Sequence, residues 1–161
     1  MSRPVRSIYT PAQRQRRDAS RWTMVQGVLA AAQFFVFLIS LCLVLRFLVT
    51  GEGAGIAAAS VVVKTLTLYT IMVTGAIWER EVFGQYLFAG PFFWEDVVSM
   101  GVIALHTLYL AALITGTFSV TQQMFIAMAA YAAYVVNAGQ FLWKFRLARL
   151  SAPMSAEGVP S

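Results

Sequence analysis

The residues able to do chemistry in this 161-residue chain are few, and most of its acids gather in one stretch. Glu79 and Glu81 flank Arg80, and beyond an aromatic-rich segment Glu95 and Asp96 follow side by side. Between them runs GQYLFAGPFFWED, whose apolar and aromatic side chains make a surface for an apolar molecule entering from a bilayer edge. Paired carboxyls beside such a surface suit general acid–base work, one protonated and its partner ionised. Burial beside apolar side chains and mutual repulsion favour that arrangement. Structural alternatives stand next to this reading. An acid at a helix start is favoured by the helix dipole, and an aromatic loop can simply anchor at the membrane interface.

His106, the single histidine, follows Glu95 by eleven positions, so the two share a helix face with Ser99 between them. Their axial separation of about 16 Å excludes a direct proton relay but suits a long, flat ligand touched at two points. Asp96 faces roughly 80° away from His106, so the adjacent acids have different duties or one caps the helix. His106 can hydrogen-bond a neighbouring helix, or ligate the magnesium of a chlorin or the iron of a haem. Bis-histidine haem ligation within one chain is excluded by count.

The elements that must position these groups are four long apolar stretches. With 59% apolar and 12% charged residues, the chain departs from a water-soluble domain. The expected fold is all-α, a polytopic membrane protein of four transmembrane helices, and the spans run from about Trp22 to Val49, Ile56 to Trp78, Glu95 to Thr115 and Gln122 to Trp143. Residues 1–21 form a basic segment with Asp18 or Ser20 as cap candidates, 22–146 the membrane domain, and 147–161 a disordered tail. The opening residues are basic enough for a signal peptide, but the apolar run behind them is long enough to be a span. The net charge of +5 resides in the flanks, in Arg3, Arg6, Arg14, Arg16, Arg17 and Arg21 before the first span and Lys144, Arg146 and Arg149 after the last. This placement points to anionic lipid rather than nucleic acid, and puts both termini on the cytoplasmic side. Trp22, Trp78, Trp94 and Trp143 then fall at the same ends as half of an aromatic belt.

Inside the spans each polar residue is a site candidate. Gln26, Gln33 and Ser40 recur every seven positions and form a stripe suited to interhelical hydrogen bonds. Lys64, about 12 Å from its helix end, is expected to snorkel outward. Tyr131, Tyr134, Asn137 and Gln140 follow a three-residue spacing and either satisfy neighbouring helices or line a polar cleft. Cys42, the lone cysteine, is expected as a small buried hydrophobe.

The stretches YTPAQRQRRDASRWTMVQG, LYTIMVTGAIWEREVFGQYLFAGPFFWEDVVSM, ALHTLYL and YVVNAGQFLWKFRLARL closely resemble the 3-vinyl bacteriochlorophyllide hydratase family, from about Tyr9 to Leu150. The resemblance implies hydration of the C3 vinyl group of a magnesium chlorin to a 3-(1-hydroxyethyl) group. It also implies a hydro-lyase of bacteriochlorophyll biosynthesis in a bacterial inner membrane, with membrane lipid and other enzymes of that pathway as neighbours.

The site residues follow from the chemistry of the step. Protonation of the terminal vinyl carbon leaves positive charge on the carbon next to the macrocycle, and water adds there. Glu79 and Glu95 are the expected catalytic pair, with Asp96 as reserve acid and Glu81 exposed. Arg80 is the nearest cation for a substrate propionate, with Lys144 or Arg146 as alternatives. Gln85 and Tyr86 are placed to orient water, Trp94 and Asn137 to contact the substrate, and His106 to ligate its magnesium. No cofactor is needed, because hydration transfers no electrons and the metal belongs to the substrate. The competing class is a non-catalytic pigment- or quinone-binding assembly subunit with His106 as ligand. Several carboxylates near one edge favour the enzyme.

Overall fold

In a computed structural model describing residues 7–151, the chain is helical apart from short connections. A short helix α1 (Pro11–Ala19) precedes α2 (Arg21–Thr50), α3 (Ala54–Phe83), a 3-10 turn (Gly90–Phe92), α4 (Phe93–Thr115) and α5 (Val120–Leu150). The last four helices are long and apolar enough to cross a membrane, which makes this a multi-pass membrane protein. Arg3, Arg6 and residues 152–161 lie outside the described residues.

Local chemistry sets the helix ends. Thr10 and Gln13 close a capping box on α1, and Ser119 and Gln122 do the same on α5. Ser20, one of two cap candidates, caps α2 by accepting from the Trp22 N–H. The basic leader therefore contains a helix of its own, which the sequence reading had left as a segment. α3 extends five residues beyond Trp78 and stops at Gly84, whose φ of 86° suits only a residue without Cβ. That extension carries Glu79 and Glu81 inside the helix rather than after it.

α2 pairs with α3 and α4 with α5, and the two hairpins meet less extensively along their length. The outer surface is apolar, as at Phe35, Ile39, Val73, Ile114 and Val136. The interior holds Phe37, Val44, Val61, Leu68, Val102 and Met124, together with nearly all the intramembrane polar groups. Water is absent from a bilayer core, so polar side chains gain by facing one another.

The interior corrects several expectations. Lys64 does not snorkel: it is fully buried, with Nζ 3.7 Å from the centre of the Tyr134 ring, whose π face supplies the attraction. Cys42 is exposed on the outer face, because the inward face of α2 is taken by Gln33, Phe37, Ser40, Val44 and Phe47. Trp78 is buried and donates from Nε1 to Thr23 Oγ1 at 2.9 Å, whereas Trp94 and Trp143 face outward. The α2 stripe behaves as interhelical glue. Gln26 donates to Thr74 at 2.6 Å, Gln33 is buried on the same face, and Ser40 reaches Ser60 and the Tyr131 hydroxyl.

At the end carrying Glu79, Trp78, Phe83, Phe92 and Phe141 pack edge-on or stacked beneath Tyr9, which lies parallel to Phe83 at 5.7 Å. Arg17 sits over the Tyr9 ring at 4.7 Å. Burial pushes the Tyr9 phenol above its ordinary range, so it stays neutral. The start of the described chain thus roofs the end of the bundle where the acids lie.

Candidate active site at the Glu79 end

Rotation of α3 and α4 decides which acids meet. Trp78, Glu79 and Val82 face inward on the last turns of α3, while Arg80 and Glu81 point out. On α4, helix formation begins at Phe93, so Glu95 and Asp96 both turn inward in the first turn, about 100° apart. Asp96 turns toward α3, and its carboxyl lies within hydrogen-bonding reach of the Glu79 carboxyl. Two carboxyls in such contact need one proton between them, because like charges at that separation repel.

The connecting loop completes this pair through its backbone. Phe88 N–H donates to Asp96 Oδ2 at 2.8 Å, and Ala89 N–H donates to Glu79 Oε1 at 3.2 Å. Aiming two successive amides at two carboxyls requires Phe88 to adopt φ of 60°, the left-handed region, which costs a non-glycine residue about 1–2 kcal/mol. Phe88 is the one described residue other than glycine in that conformation. Backbone held this way by its surroundings is a recurrent mark of functional loops.

Both carboxyls border a small cavity of about 70 Å³, whose other walls include Ile71, Met72, Gly75, Leu87, Phe92 and Phe141. The walls are almost wholly apolar, and Gly75 forms part of them. A Cβ there would stand 3.2 Å from Gln26 Oε1.

Glu95 has a different setting. Its Oε1 lies 3.3 Å from Lys144 Nζ, which also donates to the Pro91 carbonyl at 2.7 Å. Its backbone carbonyl accepts from Asn137 Nδ2 at 2.9 Å, and the single Ser99 hydroxyl hydrogen is directed either to that carbonyl, at 2.8 Å, or to Asn137 Oδ1, at 3.0 Å. Glu95, Asn137 and Lys144 thereby fasten α5 to the start of α4. Glu95 and Glu79, named together from sequence, are not brought into contact; Asp96 stands where Glu95 was expected.

The remaining named residues scatter. Arg80 donates to the Tyr86 hydroxyl and lies over its ring at 4.6 Å, on the exposed rim. Gln85 donates to the Leu87 carbonyl at 2.8 Å, which occupies the amide expected to orient water. Trp94 is 70% exposed and faces away from the cavity. Glu81 is exposed and accepts from the Ser20 hydroxyl. His106, expected to reach a substrate magnesium, is instead fully enclosed by the four spanning helices, with Nδ1 donating to the Val102 carbonyl at 2.8 Å. It forms no part of the cavity wall. The Phe88 and Ala89 amides escaped sequence reading altogether, since a phenylalanine gives no sign of a left-handed backbone.

Residues 9–147 match the family model described as 2-vinyl bacteriochlorophyllide hydratase (BCHF). The chain belongs to this family. Relatives agree along nearly the full length. A 2-vinyl bacteriochlorophyllide hydratase of Cereibacter sphaeroides is 68% identical over 147 residues, covering 91% of each chain. One of Rhodobacter capsulatus is 63% identical over 154 residues, covering 96% of this chain and 90% of the relative. Both names carry the locant 2 where the resemblance above carried 3; each describes a hydratase of a vinyl substituent on a bacteriochlorophyllide. No solved structure matches the chain significantly. The match spans Glu79, Phe88, Ala89 and Asp96, so the whole acid-and-amide arrangement lies within the family region.

Proposed function

We propose that the chain hydrates the vinyl group of a bacteriochlorophyllide to a 1-hydroxyethyl group, as a hydro-lyase of the bacterial inner membrane, with Glu79 and Asp96 as the working pair. The observation carrying this reading is the pair itself: two touching carboxyls, each met by a loop amide, at the wall of an apolar cavity. Family membership and two closely similar hydratases support the reaction class.

The cavity size fits the reacting group rather than the whole substrate. A water occupies about 30 Å³ of liquid volume, so 70 Å³ accommodates a vinyl group with one water and leaves the macrocycle outside. The exposed aromatics Tyr86, Phe88 and Phe93 offer that macrocycle an apolar rim. Arg80, exposed beside Tyr86, is the cation for a propionate, since Lys144 is engaged by Glu95 and Pro91. The magnesium travels with the substrate, and His106 stays within the bundle.

The shorter amide bond, at 2.8 Å, stabilises charge on Asp96 and leaves the shared proton to Glu79. Glu79 gives that proton to the terminal vinyl carbon as the double bond opens. The resulting cation sits on the carbon joined to the ring, where the macrocycle delocalises it and ionised Asp96 steadies it. Water adds to this carbon, its surplus proton passes to Asp96, and transfer across the carboxyl contact returns the proton to Glu79. One water is consumed and no electron leaves or enters. The basic flanks at Arg14, Arg16, Arg17 and Arg149 support a cytoplasmic orientation for this end of the bundle, beside anionic lipid and within reach of neighbouring pathway enzymes.

The test is incubation of membranes containing the protein with a vinyl-bearing bacteriochlorophyllide, anaerobically and without added nicotinamide or flavin. Gain of one water with a blue-shifted long-wavelength band is expected. Unchanged substrate with verified folded protein, or a pigment retained in stoichiometric amount, would favour a pigment-binding subunit instead.

A further inference from the structure

A second polar cluster lies deeper in the bundle, about 22 Å along α3 from Glu79. All four spanning helices contribute to it: Gln33 and Ser40 from α2, Lys64 from α3, His106 and Tyr109 from α4, Tyr131 and Tyr134 from α5. Lys64, His106, Tyr109 and Ser40 are completely enclosed, and Gln33 nearly so. Phe37 joins its parts, packing against both the Tyr131 and Tyr134 rings in the core cluster that also holds Tyr109. Lys64 Nζ lies against the Tyr134 ring, His106 and Tyr131 have ring centres 5.8 Å apart, and Ser40 joins the Tyr131 hydroxyl at 2.5 Å.

Four of its atoms find no hydrogen-bond partner among the described residues: Gln33 Oε1, Lys64 Nζ, His106 Nε2 and the Tyr109 hydroxyl. Their chemistry says what they would hold. The Val102 carbonyl can only accept, so His106 Nδ1 carries hydrogen and Nε2 of the neutral ring presents a lone pair. Gln33 Oε1 also accepts, Lys64 Nζ presents hydrogens, and Tyr109 can do either. An anion would face the two lone pairs, and a metal cation would face the lysine hydrogens. Water donates and accepts at once, and buried water characteristically satisfies two to four such groups.

We infer that Gln33, Lys64, His106 and Tyr109 bind a small cluster of water molecules that ties the two helical hairpins together at mid-bundle. Gln33 and Lys64 come from the α2–α3 hairpin, and His106 and Tyr109 from the α4–α5 hairpin. The bound water closes an interface that direct packing covers less fully than it covers the contacts within each hairpin. This site is independent of the hydration chemistry proposed for Glu79 and Asp96, and stands or falls separately.

Radiolytic footprinting of the full-length protein in lipid nanodiscs tests it, because hydroxyl radicals formed from bound water label the side chains around them. After correction for intrinsic reactivity, Tyr109 and Tyr131 are expected to label nearly as fast as exposed Tyr86. Phe92, equally buried in the aromatic roof, should label slowly. In Lys64→Met, labelling at Tyr109 should drop to the level of Phe92 while Tyr86 is unchanged. Should that variant fail to accumulate, Gln33→Leu removes an acceptor from the same hairpin and carries the same comparison. Slow labelling of Tyr109 and Tyr131 in the wild type would mean a dry cluster and overturn the inference. Fast labelling that neither substitution changes would overturn the assignment to these residues, as would an organic molecule found bound there by native mass spectrometry.

Discussion

At the Glu79 end the Glu79 and Asp96 carboxyls are each met by a backbone amide from a loop, whereas at mid-bundle Lys64 Nζ and His106 Nε2 meet no hydrogen-bond partner among the described residues. The first group borders a cavity and the second is sealed by helices. The difference follows from what backbone can do in each place. Helical backbone has spent its N–H groups on its own ladder, so at mid-bundle a lone pair can be answered only by side chains or water, even where a helical carbonyl such as that of Val102 still accepts. Beyond the end of α3 the chain leaves the helix, and the Phe88 and Ala89 amides become free to hold acids. Carboxyls answered by backbone amides therefore sit where helix gives way to loop, while the mid-span polar groups lie enclosed among the helices.

The largest test of this contrast is removal of either acid. Glu79→Gln and Asp96→Asn should each lower turnover by about 10²–10⁴-fold, the range for loss of a general acid or base, while protein still accumulates. Steady-state rates on membranes of matched protein content decide it; near wild-type turnover in either variant would remove that residue from the mechanism. A smaller effect is expected from Gly75→Ala. The added methyl crowds Gln26 Oε1 beside the cavity wall, and a displacement of about one methyl in an apolar pocket changes discrimination by roughly 10–200-fold. Its loss should appear as a fall in kcat/KM, and an unaltered value would show that the vinyl group reacts elsewhere.

Glu95→Gln sharpens the distinction between neighbouring acids. Lys144 is partly exposed, so screening limits the pair to about 1 kcal/mol of stability. Turnover should fall far less than in Asp96→Asn, and an equal fall would return Glu95 to the acid role. The mildest change is Phe88→Gly, which keeps the N–H and relieves about 1–2 kcal/mol of left-handed backbone strain while losing the ring contact with Phe93. Activity within about threefold of wild type is expected if the amide rather than the ring matters, against the full loss expected from a general-acid variant; a collapse matching Asp96→Asn would assign the work to the aromatic ring.

Much of the frame was legible beforehand because it rests on local chemistry. The four apolar runs exceed a bilayer's thickness, Ser20 offers a cap, and the α2 stripe repeats at near-helical period. The candidate site was legible only in part. Glu79, Asp96 and Glu95 could be named as a group, but their pairing hung on details no local pattern carries. A span ending at Trp78 would have left Glu79 outside the helix, and the choice between Glu95 and Asp96 depends on a 100° rotation fixed by where α4 begins. Lys64 illustrates the same limit. Its distance from the helix end suited snorkelling, yet a neighbouring tyrosine ring from α5 holds it inside.

By itself the sequence determined that this chain spans a membrane four times, that its acids cluster beside an aromatic loop, and to which family it is similar, since composition, period and motif are written along the chain. Tertiary structure decided which acids come together, that the Phe88 and Ala89 amides hold them, and that His106 and Lys64 are enclosed among the spanning helices. Those outcomes depend on how one helix is rotated against the next, a relation between distant residues that only packing fixes.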